Sequence, residues 1–373
     1  MYKNLKAGKA GVTSLAFNSQ DYLVSASLDN TITVWNLRNL EQTKKLSSHI
    51  DQITQILFSP SNPFICVSAS NDNTITLWND IRKDDYTILS GHYSSVSCVT
   101  FSSTGDYLYS GDQDGKLLFW KLSPKPENAL LAQEQYRITS IKVSNDSTLL
   151  MYGLANGQLK FMNLIKNNVF CVFDGPRNDV SINCLALHPE QIVMAAGYSD
   201  GYIRIFDLTN REVMFEYKAH QGKVNSLVFQ PLKRYLVSVG DDALIQVRDL
   251  KVGKIEFSLQ AHSNKILTVD FHIDSNTFAT GDLDGNIAIW KFKEDKADTQ
   301  ALATDQKAEN FTPKENYGIS ETVQSKTTTI ETIISRIMDS LDIMHRMADQ
   351  NTKQLKYVQD YVDLQKSNLN NQY

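Results

Sequence analysis

Four histidines stand where acid–base chemistry could be built. His49, His92, His220 and His262 precede the aspartates Asp72, Asp114, Asp242 and Asp284 by 23, 22, 22 and 22 residues. Hydroxyls lie between several of these pairs, at Ser68, Ser110 and Thr280. An imidazole held by a carboxylate and touching a hydroxyl is the arrangement of nucleophilic acyl transfer. Such triads can be drawn here, but each His and Asp recurs at a fixed place in a repeated unit, so they read as structural. His188, His272 and His345 are isolated, with no metal-ligating neighbour at helical or hairpin spacing. No G-x-x-x-x-G-K-[ST] or G-x-G-x-x-G loop occurs, nor an H-E-x-x-H or C-x-x-C pair. The chain therefore reads as non-catalytic, with no cofactor and no metal.

The elements that would hold these residues come from the repeats. Ser27-Leu28-Asp29-Asn30-Thr31-Ile32-Thr33-Val34-Trp35 is nearly copied by Ser70-Asn71-Asp72-Asn73-Thr74-Ile75-Thr76-Leu77-Trp78. Asp112-Gln113-Asp114-Gly115 to Trp120 and Asp282-Leu283-Asp284-Gly285 to Trp290 repeat it, with weaker copies between. The shared turn position falls at 29, 72, 114, 156, 200, 242 and 284, in steps of 43, 42, 42, 44, 42 and 42. Each unit reads as short strands. In the third, Val96–Phe101 alternates, Tyr107–Gly111 follows a turn, and Asp114-Gly115 makes a tight hairpin into Lys116–Trp120. Four short strands in about forty residues, seven times over, predict an all-β, seven-bladed β-propeller. The last unit lacks an outer strand. The unassigned segment Tyr2–Leu5 is expected to supply it, pairing beside the third strand of the seventh unit and removing two open sheet edges.

Residues 1–292 resemble the WD-repeat family. Gly91-His92, Ser48-His49, Ala219-His220 and Ala261-His262 stand where that family places its His. The resemblance implies a hydrogen-bonded tetrad of His, Ser or Thr, turn Asp and strand Trp within a blade. By position these are His49, Ser68, Asp72 and Trp78 in the second repeat, and His92, Ser110, Asp114 and Trp120 in the third. In the seventh they are His262, Thr280, Asp284 and Trp290. Repeats four to six depart from the pattern, with Asn156 and Met162, then Phe206, then Arg248, and are expected to lose most of the tetrad. The residues before each turn position are Leu28, Asn71, Gln113, Ala155, Ser199, Asp241 and Leu283. In this family that turn lies on a rim where partners dock.

Length and composition agree with one repeat-built domain plus a tail. The chain has 373 residues, 42% hydrophobic and 21% charged, with a net charge of −5. No global basic field exists to hold nucleic acid. No run of eighteen apolar residues would cross a membrane, and Met1–Lys6 has no apolar signal core. Cys66, Cys98, Cys171 and Cys184 read as free thiols of a reducing compartment. Residues 293–327 read as a polar flexible linker, 328–367 as a coiled-coil helix and 368–373 as a tail. Thr328-Thr329-Ile330-Glu331 fits a capping box. The seam then runs Ile330, Ile334, Ile337, Leu341, Met344, Ala348, Asn351, Leu355, Val358 and Val362 in alternating steps of four and three. A 3.5-residue repeat of this length predicts a left-handed coiled coil and a partner helix. An amphipathic helix folding back on the propeller is the other reading of this pattern.

Propeller plus terminal coiled coil resembles the proteome-of-centriole protein one family. The likeness rests on Ile330-Glu331-Thr332-Ile333-Ile334-Ser335-Arg336-Ile337 leading into Leu341-Asp342-Ile343-Met344, and on Asp249-Leu250-Lys251-Val252-Gly253-Lys254. It implies a scaffold of the centriole, basal body or cilium, located in the cytoplasm and cytoskeleton. Its partners would be tubulin or microtubule-associated proteins, with coiled-coil self- or hetero-association. Two other readings stand beside it. Trp35-Asn36-Leu37-Arg38 is similar to the W-D-x-R pattern of cullin-ligase substrate adaptors, with Asn in place of Asp. A γ-tubulin-recruiting or RNA-processing scaffold is the third.

Overall fold

A computed structural model describes residues 3–177, 179–190, 193–231, 235–250 and 253–292. The chain divides into two units, Met1–Glu294 and Asp295–Tyr373. The linker, coiled-coil seam and tail expected from residue 293 onward lie outside the described residues.

Strand β1 (Lys3–Lys6) comes first. Blade one is β2 (Val12–Phe17), β3 (Tyr22–Ser27), β4 (Thr31–Asn36) and β5 (Glu41–Ser47). Blade two is β6 (Ile53–Phe58), β7 (Cys66–Ser70), β8 (Thr74–Asp80) and β9 (Asp85–Ser90). Blade three is β10 (Val96–Phe101), β11 (Tyr107–Asp112), β12 (Lys116–Lys121) and β13 (Glu127–Gln133). Blade four is β14 (Ile138–Val143), β15 (Leu149–Leu154), β16 (Leu159–Asn163) and β17 (Asn168–Phe173). Blade five is β18 (Ile182–Leu187), β19 (Val193–Tyr198), β20 (Tyr202–Asp207) and β21 (Glu212–Lys218). Blade six is β22 (Val224–Phe229), β23 (Tyr235–Gly240), β24 (Leu244–Asp249) and β25 (Ile255–Gln260). Blade seven is β26 (Ile266–Phe271), β27 (Thr277–Asp282) and β28 (Asn286–Lys291), with β1 as its fourth strand.

That last pairing closes the ring. β1 lies antiparallel to β28, with Lys3 opposite Ile289 and Leu5 opposite Ile287. Leu5 is buried with Val12, Leu15, Leu23, Trp35, Ile287 and Ile289, a cluster that joins blade seven to blade one. The closing strand foreseen at Tyr2–Leu5 is thus found at Lys3–Lys6, in the sheet and against the strand expected.

The inner strand of every blade packs on the inner strands of its two neighbours. Each begins with a β-bulge at one place, between Val12 and Ser14, Ile53 and Gln55, and so on to Ile266 and Thr268. A bulge adds twist and re-aims a side chain. Here the side chains beside it reach across to the next blade. Thr54 Oγ1 donates to the Val96 carbonyl at 2.7 Å, and Asn225 Nδ2 to that of Ile266 at 2.8 Å. One position on, Ser14, Gln55, Ser140 and Thr268 accept the main-chain N–H of Ile56, Val99, Leu185 and Leu15. These polar groups satisfy one another, so the blades are fixed in register as well as packed.

Two residues beyond this ring stand Ala16, Leu57, Thr100, Ala186 and Val228, together with one cation and one carboxylate, Lys142 and Asp270. Asp270 accepts the Phe17 N–H at 2.9 Å. Burial pushes its carboxyl up to about 6 and lowers the Lys142 amine.

The second-to-third strand hairpins need a residue at positive φ. Asn30, Asn73, Gly115, Gly157, Gly201, Ala243 and Gly285 supply it. Gly115 is required for space as well, because a Cβ there would lie 2.4 Å from the Glu134 carbonyl oxygen. Ala243 holds the same conformation at φ 61° without that freedom.

Candidate functional site

The face that carries the hairpins also carries the loops leading into each inner strand, and the histidines lie on those loops. His49 Nδ1 sits 2.9 Å from Asp72 Oδ2, and its Nε2 2.8 Å from Ser68 Oγ. Trp78 Nε1 donates to the same Ser68 oxygen at 3.0 Å. The proton order follows from the groups available. Indole can only donate and carboxylate can only accept, so Ser68 donates to Nε2 and Nδ1 carries the hydrogen toward Asp72. Burial opposes the Asp72 charge, but the hydrogen bonds from Thr74 and His49 outweigh it and keep the carboxyl below its ordinary range.

Blade three repeats this geometry with a different carboxylate. His92 Nε2 is 2.6 Å from Ser110 Oγ, and Trp120 Nε1 donates to that oxygen at 2.7 Å. The Nδ1 partner, however, is Asp112, at 2.7 Å, and not the expected Asp114. Blade seven does the same. His262 bonds Thr280 and Asp282, both at 2.8 Å, and Trp290 donates to Thr280, while Asp284 lies outside the network. The cause is local. Asp112 and Asp282 end their strands facing inward and are buried, and they also accept the N–H groups of the following turn. Asp114 and Asp284 lie in the turns themselves. Blade two has Ser70 at the strand end, so its turn residue Asp72 takes the role.

Blades four to six solve the same problem in three ways. Blade six keeps the trio, against expectation: His220 bonds Asp242 and Ser238, each at 2.9 Å. Only its Trp is replaced. Arg248 stacks its guanidinium 3.6 Å from the Tyr217 ring centre instead. In blade five the hydroxyl and the indole are lost together, to Ala196 and Phe206, so neither is left without the other. Blade four carries a substitute that sequence reading missed. Glu134 stands where His is expected, eighteen residues before Tyr152, the same separation as His92 to Ser110. Tyr152 donates to Glu134 Oε1 at 2.7 Å, and Lys160 pairs with Oε2 at 2.7 Å. Right places filled by unlike residue types left no signal in the motif.

The four trios have the bond order of an acyl-transfer triad, yet they are sealed. Ser68, Ser110, Ser238 and Thr280 are all buried, as are their histidines. In three of the four blades an indole N–H also occupies the hydroxyl oxygen that would attack. They act as pins. In blades two and six the pinned aspartate also accepts the N–H of the residue after the histidine, Ile50 and Gln221, which fixes the loop.

What those loops present is the exposed chemistry. Ile50 is 87% exposed and Tyr93 is 88% exposed, each directly after a pinned histidine. Tyr136, on the loop into blade four, is also exposed. Lys116 Nζ lies 4.8 Å from the Tyr93 ring centre. Three neighbouring loops thus hold apolar side chains out on one face, whereas the corresponding residues into blades six and seven are Gln221 and Ser263. The sequence signal was available: an apolar residue directly after His at two successive repeats. The turn residues Leu28, Asn71, Gln113, Ala155, Ser199 and Leu283 are half-buried or exposed on the same hairpin side, and Asp241 is tied to Lys265 at 2.8 Å. Arg38 lies in the turn that follows β4 and bonds Asp21 at 3.0 Å beside a small groove shared with Arg82. All four cysteines are free. Among the described residues no His, Cys, Asp and Glu group could hold a metal ion, and no helix is long and apolar enough to cross a membrane.

The model of the WD domain, G-beta repeat, matches residues 2–36, 40–79, 84–121 and 253–291. Each match takes the outer strand of one blade and the first three strands of the next. This phase offset of one strand is why β1 is left to finish blade seven. Residues 165–230 match the model of the anaphase-promoting complex subunit 4 WD40 domain. No curated protein matches the chain.

Proposed function

We propose that this seven-bladed β-propeller, four stretches of which match the WD-repeat model, serves as a protein-interaction scaffold of centrioles, basal bodies or the ciliary microtubule apparatus. The observation that carries the scaffold reading is the row Ile50, Tyr93 and Tyr136, held out by loops anchored on the His trios of blades two and three and on the Glu134–Tyr152 bond of blade four. Exposed aromatic and aliphatic side chains on a rigid frame lose little entropy on binding, and such residues dominate interface energies. The tail resemblance, from Ile330 to Met344, supports the centriolar assignment and a role for residues 328–367 in self- or hetero-association. Tubulin or a microtubule-associated protein would then be the partner. With a net charge of −5, any contact with a microtubule comes through local patches and shape.

Fluorescent tagging of the full chain tests this reading. The wild type is expected to concentrate at centrioles, basal bodies or axonemes. The double substitution Ile50→Asp and Tyr93→Asp, with an unchanged melting temperature because both sites are exposed, is expected to turn that signal diffuse. A wild type that is itself diffuse contradicts the proposal.

A further inference from the structure

A second surface lies on the outer wall, away from the loops just described. Each blade ends in an outer strand whose far edge has no strand partner among the described residues. Such edges usually carry charges that discourage pairing with another chain. β5 has Glu41, Lys44 and Lys45, and β21 has Glu212, Glu216 and Lys218. Every other outer strand has at least one charged residue. β17, with the sequence Asn168-Val169-Phe170-Cys171-Val172-Phe173, has none. Val169, Phe170 and Val172 are exposed along it.

A groove of about 440 Å³ runs beside this strand, between blade four and the β20–β21 turn of blade five. That is a size that takes side chains of a ligand. Its floor is aromatic. Phe170, Phe161, Phe173 and Phe206 contact one another in sequence, with ring centres 6.4, 5.6 and 5.0 Å apart. Phe206, the residue that replaces the blade-five Trp, is buried behind that floor and packs against Phe173. The rim is cationic. Arg211 lies over the Phe170 ring at 5.1 Å, and neither Arg211 nor Lys166 has an ion pair among the described residues. The one carboxylate there, Asp207, is committed to the N–H groups of Thr209 and Asn210 in its own turn.

We infer that β17 and its groove receive an extended segment of a partner protein, apolar at alternate positions and flanked by acidic residues, which adds a fifth strand to blade four. Main-chain pairing to the free edge supplies affinity, alternate apolar side chains enter the groove, and the flanking carboxylates meet Lys166 and Arg211. The absence of any edge-blocking charge explains why pairing happens here and not at the other blades. This inference uses none of Ile50, Tyr93 or Tyr136, so it stands or falls separately from the scaffold reading.

The probe is a fluorescein-labelled ten-residue peptide of alternating Val and Thr with two Glu at each end. Its anisotropy is read against the full chain. A peptide with Lys in place of Glu serves as the control. The Glu-flanked peptide is expected to bind at least tenfold more tightly than the control. Val172→Lys, which places a charge on the edge, and Arg211→Glu are each expected to weaken it at least tenfold with unchanged melting. Equal binding of the two peptides, or affinities within twofold of wild type in both variants, overturns the inference. So does a wild-type chain that is dimeric in sedimentation and becomes monomeric on Val172→Lys, because a second copy would then be the occupant.

Discussion

Leu5→Asp opens the ring at one seam and leaves the far blades folded. Leu5 is buried against Val12, Leu15, Leu23, Trp35, Ile287 and Ile289, so a carboxylate there loses the leucine packing and also has to leave water. The cost is about 4 kcal/mol, or more where the new charge stays buried, which is a large part of the stability of an ordinary domain. β1 is the strand that must detach, because it is short and joined to the sheet only through β28. Hydrogen exchange read by mass spectrometry locates the effect. The amides of β28 that pair with β1 lose protection, while those of β11 and β15, on the other side of the ring, keep theirs. Unchanged protection at β28 would mean that closure does not depend on β1.

The second large effect separates two aspartates that stand two residues apart. Asp112 accepts from His92 in a buried setting, and from the Asp114 N–H and the Lys116 N–H where the site meets the half-buried turn. Asp112→Ala leaves those three donors without a partner, at a cost of about 3 kcal/mol. Asp114 is an exposed turn residue whose side chain holds none of these bonds. Asp114→Ala should therefore stay within about 0.5 kcal/mol of wild type. In melting temperature, Asp112→Ala falls on the order of 5–10 °C and Asp114→Ala hardly moves. Equal shifts for the two, or the reverse order, would return the trio to the turn position.

This pair also marks how far the sequence could be read. The period, the hairpins and the closing strand were legible because they depend on features that sequence displays: a regular turn position, Asn or Gly at positive φ, and a leftover strand with no partner. The choice between Asp112 and Asp114 was not, since both are carboxylates at the edge of one hairpin and only side-chain direction separates them. The comparison across blades holds the clue in retrospect. Where the strand end is Ser70 or Gly240 the turn aspartate bonds the histidine, and where it is Asp112 or Asp282 the strand end does. The Glu134–Tyr152–Lys160 network was hidden for another reason. It fills the His and Ser positions with Glu134 and Tyr152 and recruits Lys160 from outside the tetrad, so a motif defined by residue type passes over it. Blade six was judged by its missing Trp, although the trio of His220, Ser238 and Asp242 does not need one.

Function follows from the same division between buried and exposed groups. The residues that resemble catalytic machinery are buried polar groups of the blades, and they hold the loops. The residues free to meet another molecule are apolar side chains on those loops and along the outer wall.

The most direct measurement of that division is the reaction of the native chain with a fluorophosphonate, which modifies activated and accessible serines. The products are read by intact mass and peptide mapping, beside a serine hydrolase that labels fully. If the trios are a buried frame, no adduct forms on Ser68, Ser110 or Ser238. Stoichiometric modification of any of the three would contradict the account, because it would place an open nucleophile where the structure has a sealed pin.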